Sequence, residues 1–223
     1  MARRRSSPST PGLRQRACDM AEKMKFTPVF DNGHGGRIGG QYQTPGKRSP
    51  QWFMGVLYEG CFNRWVVNRL MERMDREGMP YYHVSPELVD TPLADRVKRA
   101  NGITNQAGYP YLLSIHANAG GGEGYEVYTS PGQTKSDAIA EVFIQEIGEE
   151  LPDHPLRSDP SDGDRDKEAK FYVLENTKCP AVLVEVAFMD NDTDYRKLWS
   201  EAFLEHIVNA LFRAIKRLYE EGI

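Results

Sequence analysis

Four side chains in this 223-residue sequence have the types and settings that hydrolytic metal chemistry needs: His34, Glu59, His116 and Glu185. His34 lies in Val29-Phe30-Asp31-Asn32-Gly33-His34-Gly35-Gly36, where an apolar strand runs into glycines. Glycine removes side-chain bulk and permits positive φ, so a sharp turn is expected that leaves the imidazole open at a strand end. His116 repeats the arrangement, because Tyr111-Leu112-Leu113-Ser114-Ile115-His116 reads as a buried strand that stops before Gly120, Gly121 and Gly122. Glu59 precedes Phe62, Val66 and Leu70 at helical spacing, which puts a carboxylate on the stripe that faces the sheet. A lone histidine beside glycines is commonly just a loop residue. Two of them with a carboxylate on an apolar helix face are different, since burying so many polar groups without mutual satisfaction is costly. A shared cation removes that cost. Two histidines and one glutamate are the usual protein ligands of catalytic zinc and leave a fourth position for water, whereas closed structural sites favour four ligands rich in cysteine.

Glu185 interrupts the otherwise apolar run Ala181–Phe188. It either pairs with an arginine such as Arg157 or Arg165, or it is a base. Zinc lowers the pKa of the water it holds to roughly 7, and a carboxylate in reach can take that proton and pass it to the leaving nitrogen of an amide. The second role is preferred. His83, His154 and His206 read as structural or solvated, His206 fitting among Phe203, Ile207 and Ala210 and His154 being the reserve ligand. The glycine-rich segments match neither phosphate-cradling pattern, no serine sits in G-x-S-x-G, and Cys61 and Cys179 show no paired base.

These groups must be held by an alternation of strands and helices. Strands are expected over 26–31, 81–85, 111–116, 124–130 and 181–188. Helices are expected over about 51–77 (ended by Gly78), from Pro92 to about Ala107, over 136–151, and over about 194–221, with an irregular charged loop over 152–170 and a short apolar segment at 171–174. That order argues a single α/β domain with a mainly parallel sheet, in which sites gather at the carboxyl ends of strands. His34, His116 and Glu185 fall at or near such ends.

Composition agrees with one globular domain: hydrophobic residues make up 39% and charged residues 27%, and no apolar run approaches the roughly 20 residues of a spanning helix. The formal charge of -4 hides a basic start, where Arg3, Arg4, Arg5, Arg14, Arg16, Lys23 and Lys25 outnumber Asp19 and Glu22. With no apolar stretch after it, this start fails as a secretory signal, and residues 1–25 are expected to be a disordered, solvated tail rather than a nucleic-acid arm. Cys18, Cys61 and Cys179 are odd in number and lack C-x-x-C spacing, so free thiols are expected.

Taken in order, Asp31-Asn32-Gly33-His34-Gly35-Gly36, Glu59 with Asn63, Ser114-Ile115-His116-Ala117-Asn118-Ala119, and Val182-Leu183-Val184-Glu185-Val186-Ala187-Phe188 with Asn191 resemble the motifs of zinc-dependent N-acetylmuramoyl-L-alanine amidases of the Amidase_3 type. Phe171-Tyr172-Val173-Leu174 followed by Cys179-Pro180-Ala181 is similar to that family's approach to its last strand. The likeness spans about residues 26 to 218 and makes 26–223 the expected catalytic domain. It implies one zinc ion on His34, Glu59 and His116, Glu185 as the catalytic glutamate, and a twisted, mostly parallel sheet of about six strands with helices on both faces. The implied reaction cuts the amide between the lactyl group of N-acetylmuramic acid and the L-alanine of the peptidoglycan stem peptide. A zinc peptidase acting on stem peptides and a non-catalytic wall-binding module are the alternatives. Arg37, Asn118, Arg157, Arg165 and Lys167 are the expected contacts to an acidic stem peptide. The setting expected is a monomeric, phage-type endolysin, cytoplasmic until released to the wall. Two departures stand out: Asn32 occupies a position where proline is more usual, and Ala187 one where glycine is usual.

Overall fold

A computed structural model of the chain describes residues 25–103 and 108–223. The expected tail up to Met24, Cys18 within it, and the end of the second expected helix at 104–107 lie outside the described residues. The strands are β1 (Phe26–Asn32), β2 (Arg37–Ile38), β3 (Gln41–Tyr42), β4 (Tyr82–His83), β5 (Tyr109–Asn118), β6 (Glu126–Thr129), β7 (Lys167–Glu168) and β8 (Ala181–Phe188). The helices are α1 (Glu59–Glu77), α2 (Leu93–Asn101), α3 (Lys135–Glu150), α4 (Tyr172–Asn176), α5 (Asp192–Leu198) and α6 (Glu201–Glu221). Six strands form one sheet in the order β4-β1-β5-β8-β6-β7, while β2 and β3 make a separate hairpin. All neighbours in the large sheet are parallel except β6 and β8, which run antiparallel. The expected α/β sheet, mostly parallel and six-stranded, is therefore the fold.

Helices cover both faces unequally. On one face α1, α3 and α6 bury a large core around Phe30, Val66, Leu70, Leu113, Ile115, Phe143, Val184 and Ile215. On the other, α2 and α4 cover only a small cluster around Val29, Val97, Leu112, Val173, Ala181 and Leu183. Side chains alternate along a strand, so Ser114 and His116 follow Leu112 on that second face, and Glu185 follows Leu183. The start of α2 reaches these strand ends through Leu93 and Arg96, which line a cavity together with His34 and His116. A polar ledge is left at the carboxyl edge of β1, β5 and β8.

Several boundaries differ from the sequence expectation. The first helix starts at Glu59, not near Gln51, because the stretch before it is held by loop pairings, Ser49 N–H to Leu57 O at 2.8 Å and Gly55 N–H to Trp52 O at 2.9 Å. Its end is as expected: Gly78 takes φ 65 and its N–H bonds back to Asp75 and Met74. The closing helix is two helices, since the Ser200 side chain accepts from Phe203 N–H and caps a second start. The short apolar segment at 171–174 leads into the short helix α4, Tyr172–Asn176. No helix among the described residues is long and apolar enough to cross a membrane.

One buried polar network fixes the second face. Asp31 at the end of β1 accepts hydrogen bonds from Ser85 Oγ (2.9 Å), Ser114 Oγ (2.8 Å) and Arg96 of α2 (2.7 Å). Arg96 also reaches Thr91 O and Asp90, and Asp90 accepts from Thr44, whose hydroxyl accepts the Gly35 N–H at 2.8 Å. The loop that carries His34 is thus tied to two strands and a helix. Burial opposes ionisation of Asp31, but Arg96, His116 and the two serine hydroxyls outweigh it and hold the carboxyl below its ordinary value. A depressed folded pKa means the stabilisation is present above the unfolded value of about 3.9 and is lost as pH falls through the folded one. Asp31→Asn leaves Arg96 without its buried partner, so urea unfolding at pH 7 is expected to show a loss of about 3 kcal/mol. The gap to wild type is expected to narrow as pH drops below about 3.9.

Candidate metal centre

His34, Glu59 and His116 converge at the carboxyl edge of the sheet, with ligand atoms within 4.8 Å of one another. Glu59 Oε1 lies 3.1 Å from His34 Nε2 and 2.9 Å from His116 Nδ1. The two rings meet edge to face with centroids 5.1 Å apart. Each residue comes from a different element. Glu59 opens α1, where a carboxylate is favoured by the helix dipole and faces inward with Phe62, Val66 and Leu70. His116 lies near the end of β5, and His34 in the loop after β1.

The glycines act by close approach rather than by their own backbone angles. His34, not its neighbours, takes the left-handed conformation, with φ 69. Histidine tolerates this region better than most residues, and the loop is pinned on both sides, Gly33 N–H to Ile115 O at 3.1 Å and Gly36 N–H to Leu88 O at 2.7 Å. A Cβ on Gly33 would sit 2.1 Å from the His116 ring, and one on Gly60 2.0 Å from Gly35 O. These positions let the start of α1 and the two imidazoles share one small volume. Asn63, one turn into α1, holds the loop by donating to Gly33 O at 2.9 Å.

Electrostatics favour a cation here. Burial alone would raise the Glu59 carboxyl, yet its contacts with His116 and His34 pull it down to about 2, so it stays ionised. Burial opposes a charge on His116, but Glu59, Glu185 and Asp31 outweigh it and raise its pKa. The far nitrogen of His116 meets Ser114 Oγ at 3.2 Å, and Ser114 donates to Asp31, a relay that fixes the ring orientation. His34 Nε2 is buried without a properly directed hydrogen bond. An orphaned imidazole nitrogen beside an ionised carboxylate and a second imidazole fits a zinc ion, for which two histidines and one carboxylate are a catalytic donor set. The His34 and His116 side chains keep 17% and 14% exposure, and both line a cavity of about 380 Å³ with Thr44, Asp90, Leu93 and Arg96, so a substrate can reach them.

Glu185 sits one strand over, its Cα in register with His116 of β5 and with Glu126 of β6. Its Oε2 is buried with no partner, and burial, ahead of the opposing pull of His116, lifts its carboxyl to about 7. Neither arginine proposed as its partner is available. Arg157 donates to Glu126 at 2.9 Å and Arg165 pairs with Glu141 of α3. Lys167 also serves Glu126, at 2.7 Å, and Asn118 and Tyr128 donate to the same carboxylate at 2.6 Å each. Glu126, which the sequence reading passed over, thus collects Arg157, Lys167 and Asn118, three of the expected substrate contacts. An isolated acidic residue at the start of a short strand gives no sequence signal of that role. Arg37 bonds to Gly40 O and lies over the Tyr58 ring.

The remaining histidines are structural. His83 meets Asn32 Oδ1, His154 is buried and donates to Val186 O at 2.8 Å, and His206 is exposed and paired with Glu150 rather than packed among apolar residues. The two sequence departures also find reasons. Asn32 N–H donates to Ser85 Oγ at 3.0 Å, a bond proline cannot make, and Ala187 is buried where the pairing of β8 with β5 shifts register, without the positive φ that would call for glycine. Asn191 caps α5 by accepting from Asp194 N–H. Gly33→Ala is expected to push the His116 ring aside and weaken zinc binding by about 10- to 100-fold with the fold retained, as read by metal titration and circular dichroism.

Comparison with known proteins agrees with this geometry. Residues 29–217 match the family Amidase_3, described as N-acetylmuramoyl-L-alanine amidase. The N-acetylmuramoyl-L-alanine amidase CwlM of Bacillus licheniformis is 36% identical over 115 residues, 52% of this chain and 43% of that protein. The endolysin of Bacillus phage SPP1 is 26% identical over 188 residues, 80% of this chain and 60% of that protein. The chain spans about half the length of the Bacillus amidases it matches. Among solved structures, the amidase AmiC2 of Nostoc punctiforme superposes with a TM-score of 0.66 at 24% identity, covering 86% of this chain and 96% of that one. An amidase of Clostridium difficile 630 gives 0.66 at 22% identity, covering 89% and 99%; at these identities the likeness shows the fold. With the family pattern running from β1 to the last turns of α6, the chain belongs to the N-acetylmuramoyl-L-alanine amidase family Amidase_3.

Proposed function

We propose that this protein is a zinc-dependent peptidoglycan amidase that cleaves the bond between the lactyl group of N-acetylmuramic acid and the L-alanine of the stem peptide. The observation that carries the reading is the convergence of His34, Glu59 and His116 with an unpaired Glu185 in register beside them. His34, Glu59 and His116 would hold the ion. Bound there, zinc supplies Lewis acidity to the scissile carbonyl and acidifies the attacking water.

The protein's own groups do the rest. Glu185 takes a proton from the attacking water and returns it to the leaving nitrogen as the C–N bond breaks. A carboxyl lifted to about 7 by burial suits both halves of that transfer, since it can be ionised as a base and protonated as an acid near neutral pH. Glu126 assists by keeping Arg157 and Lys167 to itself, because either cation beside Glu185 would hold it ionised and spoil it as a proton donor. The Asp31–Ser114 relay keeps His116 in one orientation. The likeness to the phage SPP1 endolysin supports a lytic setting at the cell wall.

Glu185→Gln is expected to keep stoichiometric zinc and to lower hydrolysis of purified sacculi by about 10²- to 10⁴-fold, the usual contribution of a general base. His34→Ala and His116→Ala are expected to lose zinc and activity together. Mass spectrometry of the products decides the bond: intact glycan plus stem peptides with a free L-alanine amine identify the amidase, and cuts within the peptide identify a peptidase instead. Release of stem peptides by Glu185→Gln at the wild-type rate would show that the proton is carried by another group.

A further inference from the structure

The basic residues that the sequence nominated to meet an acidic substrate are committed elsewhere. Arg157 and Lys167 serve Glu126, Arg165 serves Glu141, and Arg37 donates to Gly40 O; of the arginines not nominated, Arg96 serves Asp31 and Asp90, and Arg64 is spent on the carbonyls of Ser85, Pro86 and Glu87. Lys47 and Arg48 are different. Both are exposed, and neither has a carboxylate partner among the described residues. Together with Gln51, Ala119, Met189 and Asp190 they line a groove of about 740 Å³. Asp190 in that wall forms no ion pair with either: its carboxylate accepts the N–H groups of Gly120 (2.7 Å) and Gly121 (3.1 Å), and it offsets one of the two positive charges. The groove therefore presents two uncommitted cations.

Its place in the fold ties it to the candidate centre. Glu59 N–H donates to Lys47 O at 3.1 Å, so the backbone of Lys47 is bonded directly to that of a candidate ligand. On the opposite wall, Ala119 follows Asn118 at the end of β5, and Met189 N–H donates to Asn118 O at 2.8 Å. Lys47 is also close enough to Glu185 to draw its carboxyl downward against the effect of burial. The leaving nitrogen must meet Glu185, so whatever is attached to that nitrogen lies on the Glu185 side of the metal. In an amidase that group is the peptide.

We infer that the groove between the 45–51 loop and the ends of β5 and β8 is a subsite for the leaving peptide, in which Lys47 and Arg48 bind the free α-carboxylate of the residue that follows the L-alanine. The assignment rests on the amidase reading and adds a chemical preference to it: an acidic peptide over its amidated counterpart. Two flexible cations in an open groove act through Coulomb attraction to the substrate, and they fix which peptide is held rather than the chemistry at the carbonyl.

The test uses the zinc-loaded protein and two soluble substrates, N-acetylmuramoyl-L-alanyl-D-glutamate and N-acetylmuramoyl-L-alanyl-D-isoglutamine, which differ by carboxylate against carboxamide at one position. Wild type is expected to prefer the carboxylate by about 10-fold in kcat/KM, with the difference in KM, since a charge-assisted contact of that kind is worth about a factor of ten. The double substitution Lys47→Met and Arg48→Gln is expected to bring the ratio close to one, and raising the ionic strength is expected to shrink it in wild type alone. Both changes are at exposed positions, and an unchanged thermal unfolding temperature shows that the variant is folded. An equal ratio in wild type and variant overturns the subsite while leaving the amidase reading intact. Failure of wild type to cleave either substrate, or sacculi, overturns the amidase reading and the subsite with it.

Discussion

The structure depends on one shared carboxylate. Glu59 is buried at the first turn of α1 with an imidazole on each side, and no other arrangement of that helix end would be affordable in an apolar setting. Its placement dictates that the loop after β1 and the end of β5 come to the same point, and that neither Gly33 nor Gly60 carries a side chain. The large core beneath α1, α3 and α6 holds the helix to the sheet and supplies the rigidity on which the placement rests. A metal ion bound there would replace contacts that already exist in kind, so little would need to move.

The unequal cover of the sheet turns that constraint into a site. Had α2 and α4 been longer, apolar side chains would lie over Ser114, His116 and Glu185. The last residues of β5 and β8 on that face are polar, and β1 ends in the Asp31 network, to which α2 contributes Arg96. Charge is sorted on this ledge by pairing. Glu126 takes its cations and is ionised below its ordinary range, while Glu185, one strand away, forms no ion pair and is lifted by burial. Two glutamates whose Cα atoms are partners across β6 and β8 thus have pKa values displaced in opposite directions, Glu185 upward by burial and Glu126 downward by partners that outweigh its burial.

Much of this was legible in the sequence. The apolar runs of β5 and β8 and the helical spacing after Glu59 are strong periodic signals, and they placed His116, Glu185 and Glu59 on the right elements. The strands β2, β3 and β7 are two residues each, too short for any pattern to register, and β4, expected over 81–85, is reduced to Tyr82–His83. The break between α5 and α6 was hidden because apolar residues on both sides continue at helical spacing, while the interruption is a serine cap at Ser200. Long-range pairing was out of reach as well. Nothing local to Arg157 or Lys167 says that both belong to Glu126, and nothing around Gly33 says that the ring it accommodates is that of His116, 83 residues on, as far as Ser114 is from Asp31 in the hydrogen bond beside it.

The reversed direction of β6 has a consequence for how such a molecule can change. In a parallel array the chain must leave the carboxyl edge after each strand and return through a helix, so the rim of the site is made of departing segments only. Here β5 hands over directly to β6, and the glycine-rich link at 119–125 stays on the rim from one strand to the next. It is a short bridge over the same edge, held by Gly120 and Gly121 N–H on Asp190 and by Gly124 N–H on Asp194, with Gly122 close against the Phe188 ring. Lengthening or shortening that bridge would reshape the mouth of the cleft, which gives the fold a place to vary its outline while His34, Glu59 and His116 stay fixed.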